Sequence, residues 1–188
     1  MQAIDKIKKN EKSVLDTFQE EIPSIYYSDK TEKEFNEYKK NSEHMYRHLF
    51  KFPPKMFAGQ KLIDFGAGTG ENTVYLANWG AKCTLVEMNE LAQKISKDIF
   101  KKYTNNYNEH RFILSSIFDY NSPETHETFD IVHCRGVLSH TADKEGAFSK
   151  IAKFLKPGGF LIFGDPNKTG GFQNIIGKDP EYNAEKMK

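Results

Sequence analysis

The sequence predicts an α/β fold in which one parallel β-sheet is doubly wound, with helices on both faces. Two observations predict it. From Lys61 onward, short apolar segments typical of buried strands alternate with segments of helical periodicity. The first of these strands runs into a loop with glycine at positions 66, 68 and 70, and the loop leads into a helical segment. Such alternation favours parallel strands joined by right-handed helical crossovers.

Two amphipathic helices are predicted before the sheet. Residues 1–22 place apolar side chains at helical spacing between Lys and Glu residues, and the pattern ends before Pro23. The residues from Thr31 to Glu34 form a capping box, which predicts the start of a second helix. That helix would end before Pro53, and its apolar stripe consists of Phe35, Tyr38, Met45, Tyr46 and Leu49.

The remaining pattern predicts five strands and three further helices. The strands are expected at residues 61–65, 82–87, 111–115, 129–134 and 159–164. The helices are expected at residues 71–79, 91–103 and 144–155. The segment from Lys156 to Gly159 contains proline and glycine, which predicts a helix stop and a turn into the fifth strand.

Composition excludes several classes of function. A chain of 188 residues accommodates one domain. Its 27 basic and 26 acidic residues leave a net charge of +1, which disfavours nucleic acid as a partner. No apolar segment has the length of a membrane span or a signal peptide, so we expect no membrane partner and a cytoplasmic location. Cys83 and Cys134 lie in strand-like segments without CxxC spacing, which predicts two core residues and no metal site.

The glycine loop and two acidic residues indicate the kind of ligand. Glycines at 66 and 68 let the backbone turn tightly and let a ligand approach closely. The second strand ends at Glu87, 21 residues after Gly66, near the offset of about 20 residues at which an acid accepts hydrogen bonds from ribose hydroxyls. Glu71 stands where the dinucleotide pattern has glycine, and its carboxylate would repel a pyrophosphate. The electrostatics therefore favour S-adenosylmethionine, which has no phosphate and carries positive charge.

Four motifs in order resemble the class I S-adenosylmethionine-dependent methyltransferases, in particular the small-molecule enzymes with the methyltransferase type 11 pattern. The resemblance extends from about residue 45 to about residue 167. It depends on residues 63–70, on Glu87, on residues 129–132 with 136–141, and on residues 155–162. It implies a Rossmann-like sheet of strand order 3-2-1-4-5, preceded by N-terminal helices, and methyl transfer to a small molecule by in-line displacement. We expect the helix and two strands that normally follow strand five in the family to be missing, because only 22 residues follow Pro166.

The resemblance also implies a cofactor site for S-adenosylmethionine. Gly66, Ala67 and Gly68 would bring the backbone against the methionine and ribose parts. Glu87 would accept hydrogen bonds from both ribose hydroxyls, and Met88 would pack on the face of the adenine.

The adenine end departs from the family pattern. An acid often follows strand three and accepts a hydrogen bond from the adenine amine, but Ser116 stands at that position, followed by Ile117. Three alternatives remain open. The Ser116 hydroxyl accepts the bond, Asp119 turns toward the adenine, or only backbone groups make the contact.

Several further side chains are candidates for the site. Asp64 either orders the glycine loop or contacts the cofactor, and Arg135 faces either the cofactor or the acceptor. His140 is the candidate general base for a hydroxyl acceptor, because imidazole titrates near neutral pH; alternatively it orders the loop after strand four. His133 lies inside strand four and is interpreted as a structural histidine. The candidates for holding the methionine carboxylate are Tyr26, Tyr27, Tyr38, Tyr46 and Arg47.

The motifs divide the chain into three parts. Residues 1–60 are expected to form a helical lid, residues 61–166 the cofactor-binding core, and residues 167–188 a tail. Strand five would then lie at an edge of the sheet. We expect a truncated chain, one part of a longer polypeptide, or a homo-oligomer that covers this edge.

Two alternative functions compete with methyl transfer. One is a non-catalytic S-adenosylmethionine-binding module or subunit of a larger assembly. The other is a dinucleotide-dependent reductase, which Glu71 disfavours. Residues 134–137 lack the Asn/Asp-Pro-Pro-aromatic motif of enzymes that methylate nucleobase or glutamine nitrogens, and this absence favours a small-molecule acceptor.

Overall fold

The computed structural model describes residues 2–20, 31–121 and 128–165. Its strands are β1 Lys61–Phe65, β2 Lys82–Glu87, β3 Arg111–Leu114, β4 Phe129–Arg135 and β5 Leu155–Gly164. Its α-helices are α1 Gln2–Glu20, α2 Glu32–His44, α3 Val74–Asn78, α4 Glu90–Tyr103 and α5 Lys144–Ala152. The strands form one sheet of order β3-β2-β1-β4-β5, in which every neighbouring pair is parallel. The predicted Rossmann-like fold and strand order are therefore confirmed.

The strand order determines where a ligand can bind. The chain runs outward from β1 through β2 to β3, and then crosses to β4 on the other side of β1. Loops that leave β1 and β4 therefore diverge to opposite faces of the sheet and leave a crevice at their carboxyl ends. Open α/β sheets bind their ligands in such a crevice.

Apolar side chains that alternate along the central strands form a core on each face. Leu62 of β1 packs in the first core, whereas its neighbour Ile63 packs in the second, as the two-residue period of a strand requires. The helical segment before the sheet contributes to the first core through Phe35 and Tyr46, both of which are buried. The helical segment that begins with α2 is thus partly built into the core of the sheet domain.

The predicted capping box begins α2. The Thr31 backbone N–H donates to Glu34 Oε2 over 2.8 Å, and the Glu34 backbone N–H donates to Thr31 Oγ1 over 3.4 Å. The helix continues into a π-helical segment, Met45–Leu49. This wider turn shifts the helical phase, and Leu49 is 71% exposed, so its predicted place on the buried stripe is wrong.

Two predicted boundaries are corrected by backbone geometry. Helix α3 begins at Val74, not at residue 71, because Gly70 has φ +78° and the three residues after it form turns. Strand β5 begins at Leu155, which pairs with Phe129, and the register then shifts before Phe160 pairs with Ile131. The predicted stop and turn at residues 156–159 is therefore an irregularity inside the strand.

Strand β5 lies at the edge of the sheet, as predicted, and pairs only with β4 among the described residues. Phe160 and Phe163 of this strand are 57% and 53% exposed. Residues 166–188 lie outside the described residues. Covering of this edge by further chain or by a second copy stays a prediction.

Both cysteines are free and buried, one in β2 and one in β4, as predicted for core residues. Burial raises the pKa of the Cys83 thiol, and burial likewise raises the pKa of Cys134. Within the described residues, no helix is both long and apolar enough to cross a membrane. The same residues contain no group of three or more His, Cys, Asp or Glu side chains placed to hold a metal ion.

Replacing Leu62 with Ala should lower the free energy of unfolding by about 2–5 kcal/mol, because this fully buried side chain lies in the central strand. Urea unfolding followed by circular dichroism measures the change. Leu49→Ala removes the same atoms from an exposed position and should change stability by less than about 0.5 kcal/mol. Equal losses in the two variants would contradict the first core as described.

Candidate functional site

One cavity lies at the carboxyl edge of the sheet, over the ends of β1 to β4. Seven of the residues that line it were predicted from the sequence to form the site: Gly66, Gly68, Glu87, Met88, Ser116, Ile117 and His140. We call it the edge cavity. Helix α1 closes it from above, since five side chains of that helix also line it.

The glycine loop shapes the floor of the edge cavity. Gly66 and Gly68 have φ angles of +68° and +54°, which side-chain-bearing residues rarely adopt. A Cβ on Gly66 would lie 2.4 Å from Val137, whereas a Cβ on Gly68 would meet no atom within 4 Å. Gly68 therefore leaves open space where a ligand can reach the backbone. The Ala67 side chain belongs to the first core and does not line the cavity, and its N–H donates to the Val86 carbonyl over 3.2 Å.

Glu87 lies at the end of β2 and is held by two backbone groups. Its Oε2 accepts from the Gly68 N–H over 2.7 Å, and its Oε1 accepts from the Asn89 N–H over 2.8 Å. Burial raises the pKa of Glu87, while these hydrogen bonds lower it in part. Each carboxylate oxygen accepts up to two hydrogen bonds, so both keep capacity for a further donor.

Asp64 lies beneath the loop in a buried chain of polar groups. It is 2% exposed, and its two oxygens bind the Thr73 hydroxyl and, over 2.7 Å, His133 Nδ1. His133 Nε2 lies 2.7 Å from the Tyr46 hydroxyl. Burial acts to lower the pKa of His133, but Asp64 and Tyr46 outweigh it and raise the pKa to about 9. His133 is thus a protonated structural histidine, and Asp64 lies beneath the loop without lining the edge cavity, which favours the loop-ordering role for Asp64.

The buried chain of polar groups continues from Tyr46 to Arg135 at the end of β4. Arg135 Nη1 lies 3.4 Å from the Tyr46 hydroxyl and 3.4 Å from Asn72 Oδ1. Burial raises the pKa of the Tyr46 hydroxyl, but the charges of His133 and Arg135 outweigh burial and lower it. The buried chain therefore places one cationic side chain at the boundary between β4 and α2.

Arg135 lines a second, more polar cavity that lies between α2, Asn72 and the end of β4. Tyr38, one of the predicted candidates for binding a carboxylate, lines it too and donates a hydrogen bond to Asn72 Oδ1 over 2.9 Å. Of the other candidates, Tyr46 is buried below Arg135, and Arg47 is exposed and lines neither cavity. Tyr26 and Tyr27 lie outside the described residues.

The end of β3 bears on the adenine contact that the sequence left open. The Ser116 hydroxyl lines the edge cavity and bonds to Asp119 Oδ2 over 3.2 Å. Asp119 does not line this cavity, because it is drawn outward to Lys8, and its pKa is lowered mainly by that contact. The structure thus favours Ser116 or a backbone contact over Asp119 as the neighbour of a ligand in the cavity.

His140 follows β4 and lines the edge cavity beside α1. Its ring packs edge-to-face on Phe18, with 5.7 Å between ring centroids. Burial lowers the pKa of His140, so the imidazole is neutral at pH 7 and able to accept a proton.

Among the residues that line the edge cavity, sequence reasoning did not identify Asn89 and Glu11. Asn89 caps α4 with its Oδ1 and donates from Nδ2 to the Phe18 carbonyl over 3.0 Å, which ties α1 to the sheet. Its position before a predicted helix was the available signal. Glu11 enters the cavity from α1. Nothing in the sequence signalled it, because helical periodicity identifies an apolar face without identifying what that face covers.

A family model described as a methyltransferase domain matches residues 37–186. The ubiquinone biosynthesis O-methyltransferase of Thiobacillus denitrificans is 30% identical over 112 residues, which make up 60% of this chain and 47% of that protein. The chain spans about half the length of the curated relatives it matches.

Two solved structures have a similar fold. The magnesium protoporphyrin IX methyltransferase of Synechocystis PCC 6803, solved with bound SAM, gives a TM-score of 0.61 at 16% identity and covers 78% of this chain and 72% of its own. A SAM-dependent methyltransferase from Geobacter sulfurreducens, in complex with S-adenosyl-L-homocysteine, gives 0.53 at 18% identity, over 76% of this chain and 52% of its own.

The raised pKa of His133 predicts a specific loss of stability at alkaline pH. Its folded-state pKa of about 9 exceeds the usual 6.5, so the stabilisation is complete below about pH 6.5 and is lost as the pH rises through about 9. The loss should reach at most about 3 kcal/mol. Urea unfolding between pH 6 and pH 10 measures it, and His133→Gln should show a flatter profile across the same range. Parallel profiles for the two proteins would contradict a protonated His133.

Proposed function

The chain belongs to the methyltransferase domain family, and on this premise we propose that it binds S-adenosylmethionine in the edge cavity and transfers the methyl group to a small-molecule acceptor. The observation that carries the proposal is the convergence of Gly68 and Glu87 at one point of the sheet edge. The Gly68 N–H bonds to the Glu87 carboxylate, and both residues line the cavity. An open glycine backbone beside a carboxylate suits the methionine and ribose parts of the cofactor.

The remaining cofactor contacts follow from the positions around this point. Glu87 would accept hydrogen bonds from the ribose hydroxyls on its remaining lone pairs. Met88, Ser116 and Ile117 would surround the adenine at the ends of β2 and β3. Arg135 lines the second cavity, so it would bind the methionine carboxylate where that end of the cofactor extends beyond the edge cavity toward the second one. Asp64 and Ala67 would stabilise the conformation of the glycine loop from beneath it, without contacting the cofactor through their side chains.

Helix α1 supports the proposal that residues 1–60 include a lid over a core of residues 61–166. Val14, Leu15 and Phe18 turn the apolar face of α1 toward the edge cavity. A bound cofactor would be shielded from water on that side. Exclusion of water favours methyl transfer, since water competes with the acceptor and screens charge.

The acceptor is proposed to be a small molecule with a nucleophilic oxygen. Curated relatives that match the chain are named ubiquinone biosynthesis O-methyltransferases, and the net charge of +1 disfavours nucleic acid as the acceptor. When bound, S-adenosylmethionine supplies a methyl group activated by its sulfonium. The protein would align the acceptor oxygen in line with that methyl group. Neutral His140 would take the hydroxyl proton as the oxygen–carbon bond forms and the sulfur–carbon bond breaks.

Glu87→Ala should weaken binding of S-adenosylmethionine at least about tenfold, because the ribose hydroxyls lose a charged acceptor. Isothermal titration calorimetry measures the affinity. Glu90→Ala is the matched control, since it removes an exposed carboxylate three residues away at the start of α4. Failure of the wild-type protein to bind the cofactor at millimolar concentration would contradict the proposed function.

His140→Gln should lower kcat by about 100-fold or more if the acceptor is a hydroxyl. The wild-type kcat should rise with pH through a pKa below 6.5 and then level off, because His140 is active as the neutral base. Transfer of labelled methyl to a panel of hydroxylated aromatic and aliphatic acids provides the assay. The exposed His48, changed to Gln, should leave kcat unchanged. A His140→Gln variant as fast as wild type would remove His140 from the mechanism.

A further inference from the structure

Helix α1 contributes a carboxylate to the edge cavity as well as an apolar roof. Glu11 lines the cavity together with Asn10, Val14, Leu15 and Phe18 of the same helix. The Glu11 side chain is 14% exposed. A carboxylate buried beside the apolar side chains of Val14, Leu15 and Phe18 requires a polar partner.

Only one of the two Glu11 oxygens has such a partner. Oε2 accepts from Lys8 Nζ over 2.9 Å. Oε1 is buried, and within residues 2–20, 31–121 and 128–165 it has no hydrogen-bond partner. A buried oxygen without a donor is destabilising, because it has lost its hydrogen bonds to water without replacing them. The position is therefore prepared for a hydrogen-bond donor on a ligand.

The surroundings of Glu11 locate that donor at the end of β3. Lys8 joins Glu11 to Asp119, and Asp119 bonds to the Ser116 hydroxyl. Ser116 and Phe118 line the same cavity as Glu11. Glu87, in contrast, follows β2 and bonds to the glycine loop. A ligand with its ribose at Glu87 and its base toward β3 would therefore point the base at Glu11.

The exocyclic amine is the hydrogen-bond donor on the adenine ring. Glu11 has an oxygen without a partner, its contacts lie at the end of β3, and Ser116 stands where an acid would otherwise bind the amine. We therefore propose that Glu11 Oε1 accepts a hydrogen bond from this amine. Helix α1 then selects adenine and closes the cavity in one step. This inference depends on the proposed binding of S-adenosylmethionine.

The test compares two ligands that differ only at the amine. S-adenosylhomocysteine carries it, and the 6-deamino analogue carries hydrogen in its place. By calorimetry, the wild-type protein should prefer S-adenosylhomocysteine by about tenfold or more, the size expected for a hydrogen bond to a charged acceptor. Glu11→Ala should bind S-adenosylhomocysteine about tenfold more weakly and should bind both ligands with similar affinity.

Two further variants separate a specific contact from a general change in α1. Asp16→Ala removes an exposed carboxylate from the same helix and should keep the wild-type preference. Glu11→Gln retains a neutral acceptor and should keep part of the preference. Thermal unfolding of each variant shows whether the fold is intact.

The outcomes distinguish this inference from the proposed function. If the wild-type protein binds neither ligand, the proposed function fails. If it binds both and Glu11→Ala keeps the wild-type preference, the proposed function stands and the role of Glu11 is wrong. A Gln variant with no more preference than the Ala variant would also contradict the contact.

Discussion

The buried ion pair between Asp64 and His133 is the interaction on which the other parts of the site depend. It joins β1 to β4, and through its other bonds it reaches Thr73 after the glycine loop and Tyr46 in the π-helical segment. Removing one partner of a buried pair leaves an uncompensated charge, which is strongly destabilising. The positions of the loop, of Arg135 and of the helical segment before the sheet are therefore coupled through one pair of side chains.

The strands of the sheet could be predicted because each one is encoded by a short, local sequence pattern. Each strand is a short apolar segment, and the alternation of strands with helices predicts a parallel sheet with right-handed crossovers, whereas the strand order came from the family resemblance. Gly66, Gly68 and Glu87 were predictable for the same reason, since their spacing follows from one βαβ unit. Where prediction was wrong, the cause was a backbone irregularity, as in the π-helical turn that exposes Leu49 and the register shift that begins β5 at Leu155.

The rest of the site depends on contacts between distant parts of the chain. The sequence left two roles open for Asp64, and the position of His133, 69 residues later, favours one of them. Arg135 and Gly136 are neighbours in the chain but line different cavities. Helix α1 was recognisable as amphipathic, yet only its packing over the sheet edge brings Glu11 into the cavity. Periodicity identifies the apolar face of a helix or strand, but it does not identify the surface against which that face packs.

The reactivity of the two buried cysteines can be used to measure local opening of the sheet. Cys83 and Cys134 lie in β2 and β4, the strands on either side of β1, and burial keeps both thiols protonated. A thiol reacts with alkylating reagents as the thiolate, so the native protein should resist modification until a strand is exposed. The rate of alkylation at each cysteine would therefore report how often that side of β1 opens. The protein thus contains an intrinsic chemical probe for local opening on each side of its central strand.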